Sequence, residues 1–431
     1  MNKKKIAIIG SGISGLSASL FLSKNFDVHL FEKNKILCGH TRTIKLKNSD
    51  NNSLCIDTGF IVFNNKNYPD LVSFFKFLDV DTENSNMSFS VSCKSPNLEY
   101  GGTSLNSLFA QRKNIFSIKF ILLLFEIRRL YKIGREFDLN FREDLTIEEF
   151  LLMNNFSNEI REFHIYPLIS SIWSNNTKDV KDFPLISFLQ FFNNHGLFSF
   201  NNRPRWKFVS GGSYSYVEAL IKKNLFKYST NFQIKKIMRN NSKIQIIDNN
   251  DKIQVFDKVV FATHADQAIK LLQNPTISEK NVLSIFQYTK NKAYLHSDER
   301  LMPKKKLAWS SWNFLQNIHK NDNFSLTYWM NKLQKINDSI NYFVSINPMI
   351  DPIKIIDQTV FEHPIFNIDT VKAQKKLSSI QGQLNTFYCG SYCGYGFHED
   401  GIQSAAYIAE VLNVKLPWNR DKNFKSRLNY S

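Results

Sequence analysis

The sequence predicts an α/β fold in which a nucleotide-binding domain is assembled from separated segments and a mixed domain is inserted between them. Three observations predict it. A glycine-rich turn between an apolar run and a helix opens the chain, and an acidic residue ends the next apolar run. A further apolar run leading into a glycine-rich turn and a helix closes the chain.

Ile6 to Ile9 is the continuous apolar run of a buried parallel strand. Gly10-Ser11-Gly12-Ile13-Ser14-Gly15 follows with G-x-G-x-x-G spacing, then a helical stretch, Ser14 to Lys24, and a strand, Asp27 to Phe31, ending at Glu32. In register, these parts form a Rossmann dinucleotide fingerprint. Gly10 allows the tight turn, Gly12 lets backbone N–H groups approach a pyrophosphate, and Gly15 lets helix pack on strand. Ile13 and Ser14 begin the helix whose free N–H groups and partial positive charge face the phosphates. Glu32, with Lys33 beside it, is placed to accept hydrogen bonds from ribose hydroxyls.

After about 75 residues the chain becomes Phe-rich and helix-leaning, from Leu71 to Arg203. Gly211-Gly212-Ser213 then reads as a turn opening a helix. Phe232 to Ile237, Lys243 to Ile247 and Lys252 to Phe256 read as a β-meander, with Ile234 a cofactor contact on its first strand. Asp257 to Thr263 is a buried strand ending in small residues, with Thr263 at its tip. Thr276 to Asn367 is mixed, rich in aromatics (Trp309, Trp312, Tyr328, Trp329) and largely β. Asn385 to Gly390 is a strand leading through Gly394 to Gly401 into a helix, Ile402 to Leu412.

The domain boundaries that follow are 1–75, 204–275 and 368–431 for nucleotide binding, and 76–203 and 276–367 for substrate. Two helix N-termini from opposite ends of the chain point to FAD rather than NAD. The second faces the flavin pyrimidine ring and stabilises negative charge near N1 and C2=O. Gly390, Gly394, Asp400, Gly401 and Ile402 are the contacts expected there, and Glu399 and Asp400 are suited to cap the helix.

At 431 residues the chain is long enough for two domains, and its 43% hydrophobic content fits a soluble globular enzyme. The fingerprint follows the first strand directly, which leaves no room for a signal peptide. The five cysteines are odd in number and irregularly spaced, as free thiols in a reducing cytoplasm would be. Cys389 and Cys393 lack a second pair at zinc-ligand spacing, so no metal is expected. The net charge of +17 reflects either attraction to an anionic surface or a coding bias toward Lys, Asn, Ile and Phe. Scattered basic residues and no recognised module argue against nucleic acid. The longest apolar run, Phe120 to Phe125, is too short to span a membrane. Ile115 to Arg135 reads as a helix with an apolar face, either a core element or one lying at the inner membrane surface.

The loop Cys38-Gly39-His40-Thr41-Arg42-Thr43 and the segment Asp57-Thr58-Gly59-Phe60, together with the fingerprint, resemble the flavin-containing amine-oxidase superfamily, which includes phytoene desaturases and protoporphyrinogen oxidases. The resemblance implies a glutathione-reductase-type FAD-binding domain. It implies cofactor contacts at Gly39, His40 and Thr41, a phosphate contact at Arg42, and a return of the chain to the cofactor at Asp57, Gly59 and Phe60. The single Gly39 and the inserted His-Thr depart from the superfamily's usual double glycine before its Arg.

A closer resemblance is to bacterial predicted NAD/FAD-binding proteins encoded beside cyclopropane-fatty-acid synthase-like methyltransferases. It is carried by Gly39 to Thr41, Asp57 to Asn64, Leu108 to Arg112, Asn194 to Leu197, Pro204 to Trp206, Gly211 to Ser213, Ala262 to Asp266, Thr327 to Gln334 and Gly394 to Gly401. It implies desaturation of a lipid or methyl-branched fatty acyl chain, and a lipid methyltransferase as partner.

Flavin chemistry needs the reacting C–H bond held over the ring in an apolar pocket. The Phe-rich region between Leu71 and Phe200 either lines such a pocket or is ordinary core. A base helps remove the second proton of a desaturation. His398 ranks first, beside the closing helix, followed by His195 and His264. For amine oxidation, Tyr328, Trp329, Tyr392 and Tyr395 are candidates for an aromatic cage. A flavin thioether at Cys389 or Cys393 is disfavoured. The leading expectation is an FAD-dependent oxidoreductase acting on a hydrophobic substrate, with oxygen or a quinone as oxidant. The alternatives are an amine oxidase on a small amine or polyamine, a flavin-dependent isomerase, and a non-enzymatic FAD-containing membrane-associated partner of a lipid methyltransferase.

Overall fold

Five parallel strands from four distant stretches of chain form one sheet. Their order is Lys227–Ser229, Asp27–Phe31, Lys5–Ile9, Lys258–Phe261 and Thr386–Tyr388. The computed structural model describes residues 3–137, 142, 144–174, 177–199, 203–240, 242–316, 325–422 and 424–430. Phe200, the expected end of the Phe-rich region, lies outside them. Ile6, Ala7 and Ile8 at the sheet's centre have no solvent exposure. Both faces of this strand are covered, which is why it reads as an unbroken apolar run.

The helix Ile13–Leu22 is buried along its whole length, and the closing helix His398–Val411 packs along it. Close approach is built into the glycines. A Cβ on Gly15 would lie 1.9 Å from the Gly10 carbonyl oxygen, and one on Gly401 would lie 2.8 Å from both Ile13 Cγ2 and Ser14 Oγ. The nucleotide turn and the start of the closing helix are therefore held in direct contact.

The expected meander is present as Ile234–Arg239, Ile244–Asp248 and Ile253–Phe256. The second large element is a seven-stranded, mainly antiparallel sheet. Its order is Ile355–Pro364, Tyr288–His296, Phe343–Ile346, Ser325–Trp329, Trp312–Gln316, Phe89–Cys93 and Leu98–Gly101. Segments from both halves of the insertion thus share one sheet, joined where Trp312–Gln316 runs parallel to Phe89–Cys93. Strands at 89–93 and 98–101 correct the helix-leaning reading of 71–203. Phe89-Ser90-Val91-Ser92-Cys93 carries the period-two alternation of a strand, masked by the surrounding phenylalanines. The helices between Leu105 and Asn194 pack into the same core, where Phe150, Phe183, Phe188 and Phe192 are fully buried. Much of the Phe-rich region is therefore core.

The closing helix starts at His398, four residues before the expected Ile402. Asp400 caps it, accepting a 2.8 Å hydrogen bond from the Phe397 N–H. Glu399 does not cap its own helix. It accepts from the N–H groups of Asp70 (3.0 Å) and Leu71 (2.9 Å), and so caps the helix Pro69–Phe77.

Candidate active site

A single cavity of about 2620 Å³ runs from the glycine-rich turn, past the start of the closing helix, to the helices of the inserted domain. Gly10, Gly12, Ile13 and Ser14 line one end. Gly12 is the N-cap of its helix, with φ −66° and no side-chain cap, so the first N–H groups have no internal acceptor. The loop after Cys38 lies against this turn, and the contact is one-sided. A Cβ on Gly39 (φ +54°) would sit 2.6 Å from Gly12 Cα, whereas one on Gly12 would meet nothing nearer than Gly39 Cα at 4.0 Å. The space over the turn is open and faces free donors.

Glu32 and Lys33 line the same end. One Glu32 oxygen accepts from Ser11 N (3.0 Å) and Ser11 Oγ (2.6 Å), and the other accepts from Asn34 N (2.9 Å). Glu32 thus fixes the turn while keeping lone pairs for a ligand. Ile234, Thr263 and His264 also line the cavity.

The Cys38 loop behaves differently from expectation. Arg42 lines the cavity, but its guanidinium is forked onto Asp357 (Nη2–Oδ1 3.0 Å, Nη1 on the other oxygen) and also reaches Thr58 Oγ1 at 3.2 Å. Its donors are largely spent inside the protein, which corrects its assignment as the phosphate contact. Thr41 is buried behind the wall, bonded to the Tyr216 hydroxyl and, at 3.1 Å, to His398 Nε2. Asp57 is also buried and does not line the cavity. It accepts from Thr43 Oγ1 (2.5 Å), Ser213 N and Oγ (both 2.8 Å) and Gln334 Nε2 (3.0 Å). It ties the insertion to the nucleotide domain rather than holding a cofactor, and burial pushes its pKa up to about 6. Gly59 and Phe60 do line the cavity.

At the closing helix, Gly390 and His398 reach the cavity. Gly15, Gly394, Asp400, Gly401 and Ile402 do not. They set the helix in place from behind, with Gly394 against the Asp400 carboxylate and Ile402 in the core. His398 stacks on Phe60 at 3.8 Å, and its Nε2 is 3.3 Å from the Tyr216 hydroxyl. Burial, aided by His40, pushes its pKa down to about 3, so the ring is neutral at ordinary pH.

His195 is not part of the site. Its ring is packed between Phe191 (3.9 Å) and Trp206 (5.8 Å), with Nδ1 2.8 Å from the Phe191 carbonyl oxygen, and it does not line the cavity. The aromatic cage is not assembled either. Tyr328 and Tyr392 line the cavity, but Trp329 packs on Trp309 at 5.3 Å and the Tyr395 hydroxyl bonds Gln190 at 2.7 Å. Tyr328 packs edge-on to Trp312 at 4.9 Å, and burial raises its pKa, keeping the hydroxyl protonated. Cys389 and Cys393 are buried away from the cavity, their thiols pushed up by desolvation.

A histidine cluster went unread in the sequence. His40 lies 5.3 Å from His363 and 6.4 Å from His264, ring to ring, and stacks on Phe361. His264 stacks on Tyr288 at 4.1 Å and approaches Glu362 Oε2 at 3.3 Å. Burial pushes His40 and His264 down to about 4 and His363 to about 3. His40 Nε2 has no partner among the described residues. His363 was invisible because its strand, Ile355–Pro364, joins the site only through sheet pairing.

Beyond the closing helix the cavity turns apolar, lined by Leu108, Leu124, Ile127, Leu168, Ile172 and Trp312. Arg128, Arg129, Lys132, Arg135 and Arg203 also line this arm, whereas among the described residues the lining carboxylates, Glu32 and Glu362, belong to the other end.

A Rossmann-type nucleotide-binding domain in separated segments, with one cavity leading into an inserted mixed domain, defines the class of fold. Residues 8–78 match the family model of an NAD(P)-binding Rossmann-like domain. Among solved structures, cyclohexylamine oxidase from Brevibacterium oxydans IH-35A is similar at 12% identity, over 95% of this chain and 100% of that one, with a TM-score of 0.67. A fatty acid isomerase from P. acnes that produces CLA is similar at 14% identity, over 95% and 98%, with a TM-score of 0.67. Putrescine oxidase bound to putrescine is similar at 13% identity, over 95% and 99%, with a TM-score of 0.65. The likeness spans both domains and carries the fold. No curated protein sequence matches the chain.

Proposed function

We propose that the protein is an FAD-dependent oxidoreductase that dehydrogenates an amphiphile with a long apolar chain and an anionic end, a fatty acyl derivative. One observation carries this reading: a single cavity joins a turn of unpaired helix N–H groups to an apolar arm edged by arginine and lysine.

The residues fit FAD. Gly10, Gly12, Ile13 and Ser14 would hold the pyrophosphate, Glu32 the adenosine ribose, and Gly390 and the start of the closing helix the flavin end. When bound, the flavin supplies hydride acceptance from carbon. The chain's own contribution is position and electrostatics. Arg128, Arg129, Lys132, Arg135 and Arg203 attract an anionic end, and the aliphatic and aromatic wall excludes water from the reacting carbons. A cationic amine entering this arm would meet like charge and no assembled aromatic cage, so the amine reading is not favoured. His40 joins His398 on the cavity wall as a candidate base, and His195 drops out. His40 is neutral, and its Nε2 has no partner among the described residues.

The test is anaerobic mixing of the FAD-loaded protein with long-chain acyl compounds and, separately, with amines including putrescine. Bleaching of the flavin by acyl compounds alone is expected. Bleaching by amines alone overturns the reading. So does acyl turnover with no net oxidation, which would assign an isomerase.

A further inference from the structure

The helix Ile118–Glu136 is apolar on two sides. Phe120, Leu123, Ile127, Leu130 and Tyr131 face the core, as one side of an amphipathic helix should. The other side carries Ile118, Leu122 and Phe125 at i, i+4 and i+7, which puts them on one outward stripe. Ile118 is 76% exposed and Phe125 64%, and Phe116, in the preceding turn Arg112–Phe116, is 89% exposed. Leu105 and Ile115 extend the patch. Single exposed apolar residues are ordinary, but a contiguous group of this kind marks a surface that something covers.

Two further features identify the cover. The stripe is interleaved with exposed cations, Lys113, Lys119, Arg128 and Lys132. Of the two acids of this helix, Glu126 is tied down by the Ser157 N–H at 2.8 Å, and Glu136 lies exposed at its far end, beyond the stripe's apolar residues. Exposed apolar side chains mixed with free Lys and Arg suit the boundary between acyl chains and anionic headgroups. The patch also continues into the cavity, since Leu105 and Phe125 are exposed yet line it. The mouth of the apolar arm therefore opens through this surface.

We propose that the turn Arg112–Phe116 and the outer face of the helix Ile118–Glu136 dock on an anionic phospholipid bilayer, seating the cavity mouth in the acyl layer. The docking surface gives the acyl reading above a route for substrate entry, but it is a binding property with its own test.

The experiment is flotation of the full-length FAD-loaded protein with vesicles of phosphatidylcholine, with and without phosphatidylglycerol. Co-flotation with the anionic vesicles is expected. The variant Phe116→Ser/Ile118→Ser/Leu122→Ser, whose sites do not line the cavity, should partition about tenfold more weakly or worse. Lys113→Gln and Lys119→Gln should each cost about fivefold on anionic vesicles only. Ile277→Ser, an exposed apolar site elsewhere, serves as control. Hydrogen exchange on the unaltered protein gives a variant-free readout, with vesicle protection expected across 105–132. Absence of vesicle binding, equal flotation of the triple variant, or protection elsewhere would each overturn the proposal. So would self-association lost in the triple variant without vesicle binding, which would assign the face to a second copy. Vesicle binding without acyl oxidation would leave the docking intact and sink only the substrate reading.

Discussion

Replacing Gly12 with valine separates cofactor binding from folding. Gly12 has φ −66° and ψ −179°, which any residue adopts, and its added Cβ would meet only Gly39 Cα at 4.0 Å. The cofactor-free protein should therefore keep its stability to within about 0.5 kcal/mol, as at ordinary sites free of packing defects. The valine side chain instead fills the open space over the turn and keeps a pyrophosphate from the helix N–H groups. Losing two hydrogen bonds to a charged group, at about 1.5–3 kcal/mol each, removes about 3–6 kcal/mol of binding. That is roughly a 10²- to 10⁴-fold weaker Kd for FAD. The assay is isothermal titration with FAD, beside thermal unfolding of both apo proteins. The companion Gly39→Ala behaves oppositely, because its Cβ would press to 2.6 Å on Gly12 Cα at φ +54°. It should lower apo stability by about 2–5 kcal/mol, summing left-handed strain and overpacking. A valine variant that binds FAD as tightly as the parent would refute the reasoning. So would an apo Tm that falls as far as that of Gly39→Ala.

Arg239→Met should cost about 3–5 kcal/mol in urea unfolding, because it strands the buried Glu279 carboxylate that Arg239 holds at 2.6 and 2.8 Å; a loss below about 1 kcal/mol would contradict that. Acid should destabilise the apo protein. His40, His164, His195, His264, His363 and His398 have folded pKa values of about 3–4, below the unfolded value, so their contribution is complete above pH 6.5 and is lost as pH falls toward 4. Each supplies a slope of about 1.4 kcal/mol per pH unit, opposed only by raised carboxyls such as Asp57, and a flat urea midpoint between pH 7 and 5 would rule this out. His398→Gln should leave the pH profile of flavin reduction unchanged between pH 5 and 8, since His398 does not titrate there; loss of an inflection near 6.5 in the variant would show otherwise. Arg128→Glu/Arg203→Glu should raise KM for anionic acyl substrates about tenfold with little change in kcat, and an unchanged KM would remove these residues from substrate binding.

The parts legible in the sequence are those in which local chemistry dictates local shape. Gly10, Gly12 and Gly15 have one workable geometry between a buried strand and a helix, and the Gly390–Gly401 segment repeats that logic at the other end of the chain. Where a residue serves the fold through distant partners, its type alone misleads. Asp57 looked like a cofactor contact because it lies in a matching segment, yet Thr43, Ser213 and Gln334 saturate its carboxylate. Arg42 had the right charge in the right loop, but Asp357 takes its donors. His195 and His398 were similar on paper; packing buried one between Phe191 and Trp206 and left the other on the cavity wall.

By itself, then, the sequence determined the nucleotide end: strand, turn and helix are set by contacts within a few residues and by the absence of Cβ atoms. Only the tertiary structure decided the substrate end. The His40–His264–His363 cluster and the walls of the apolar arm arise from residues far apart in the chain, and the stripe beside its mouth, though local to one turn and helix, is left exposed only by the way that helix packs. Sheet pairing and helix packing bring them together, and no local pattern in the chain encodes that proximity.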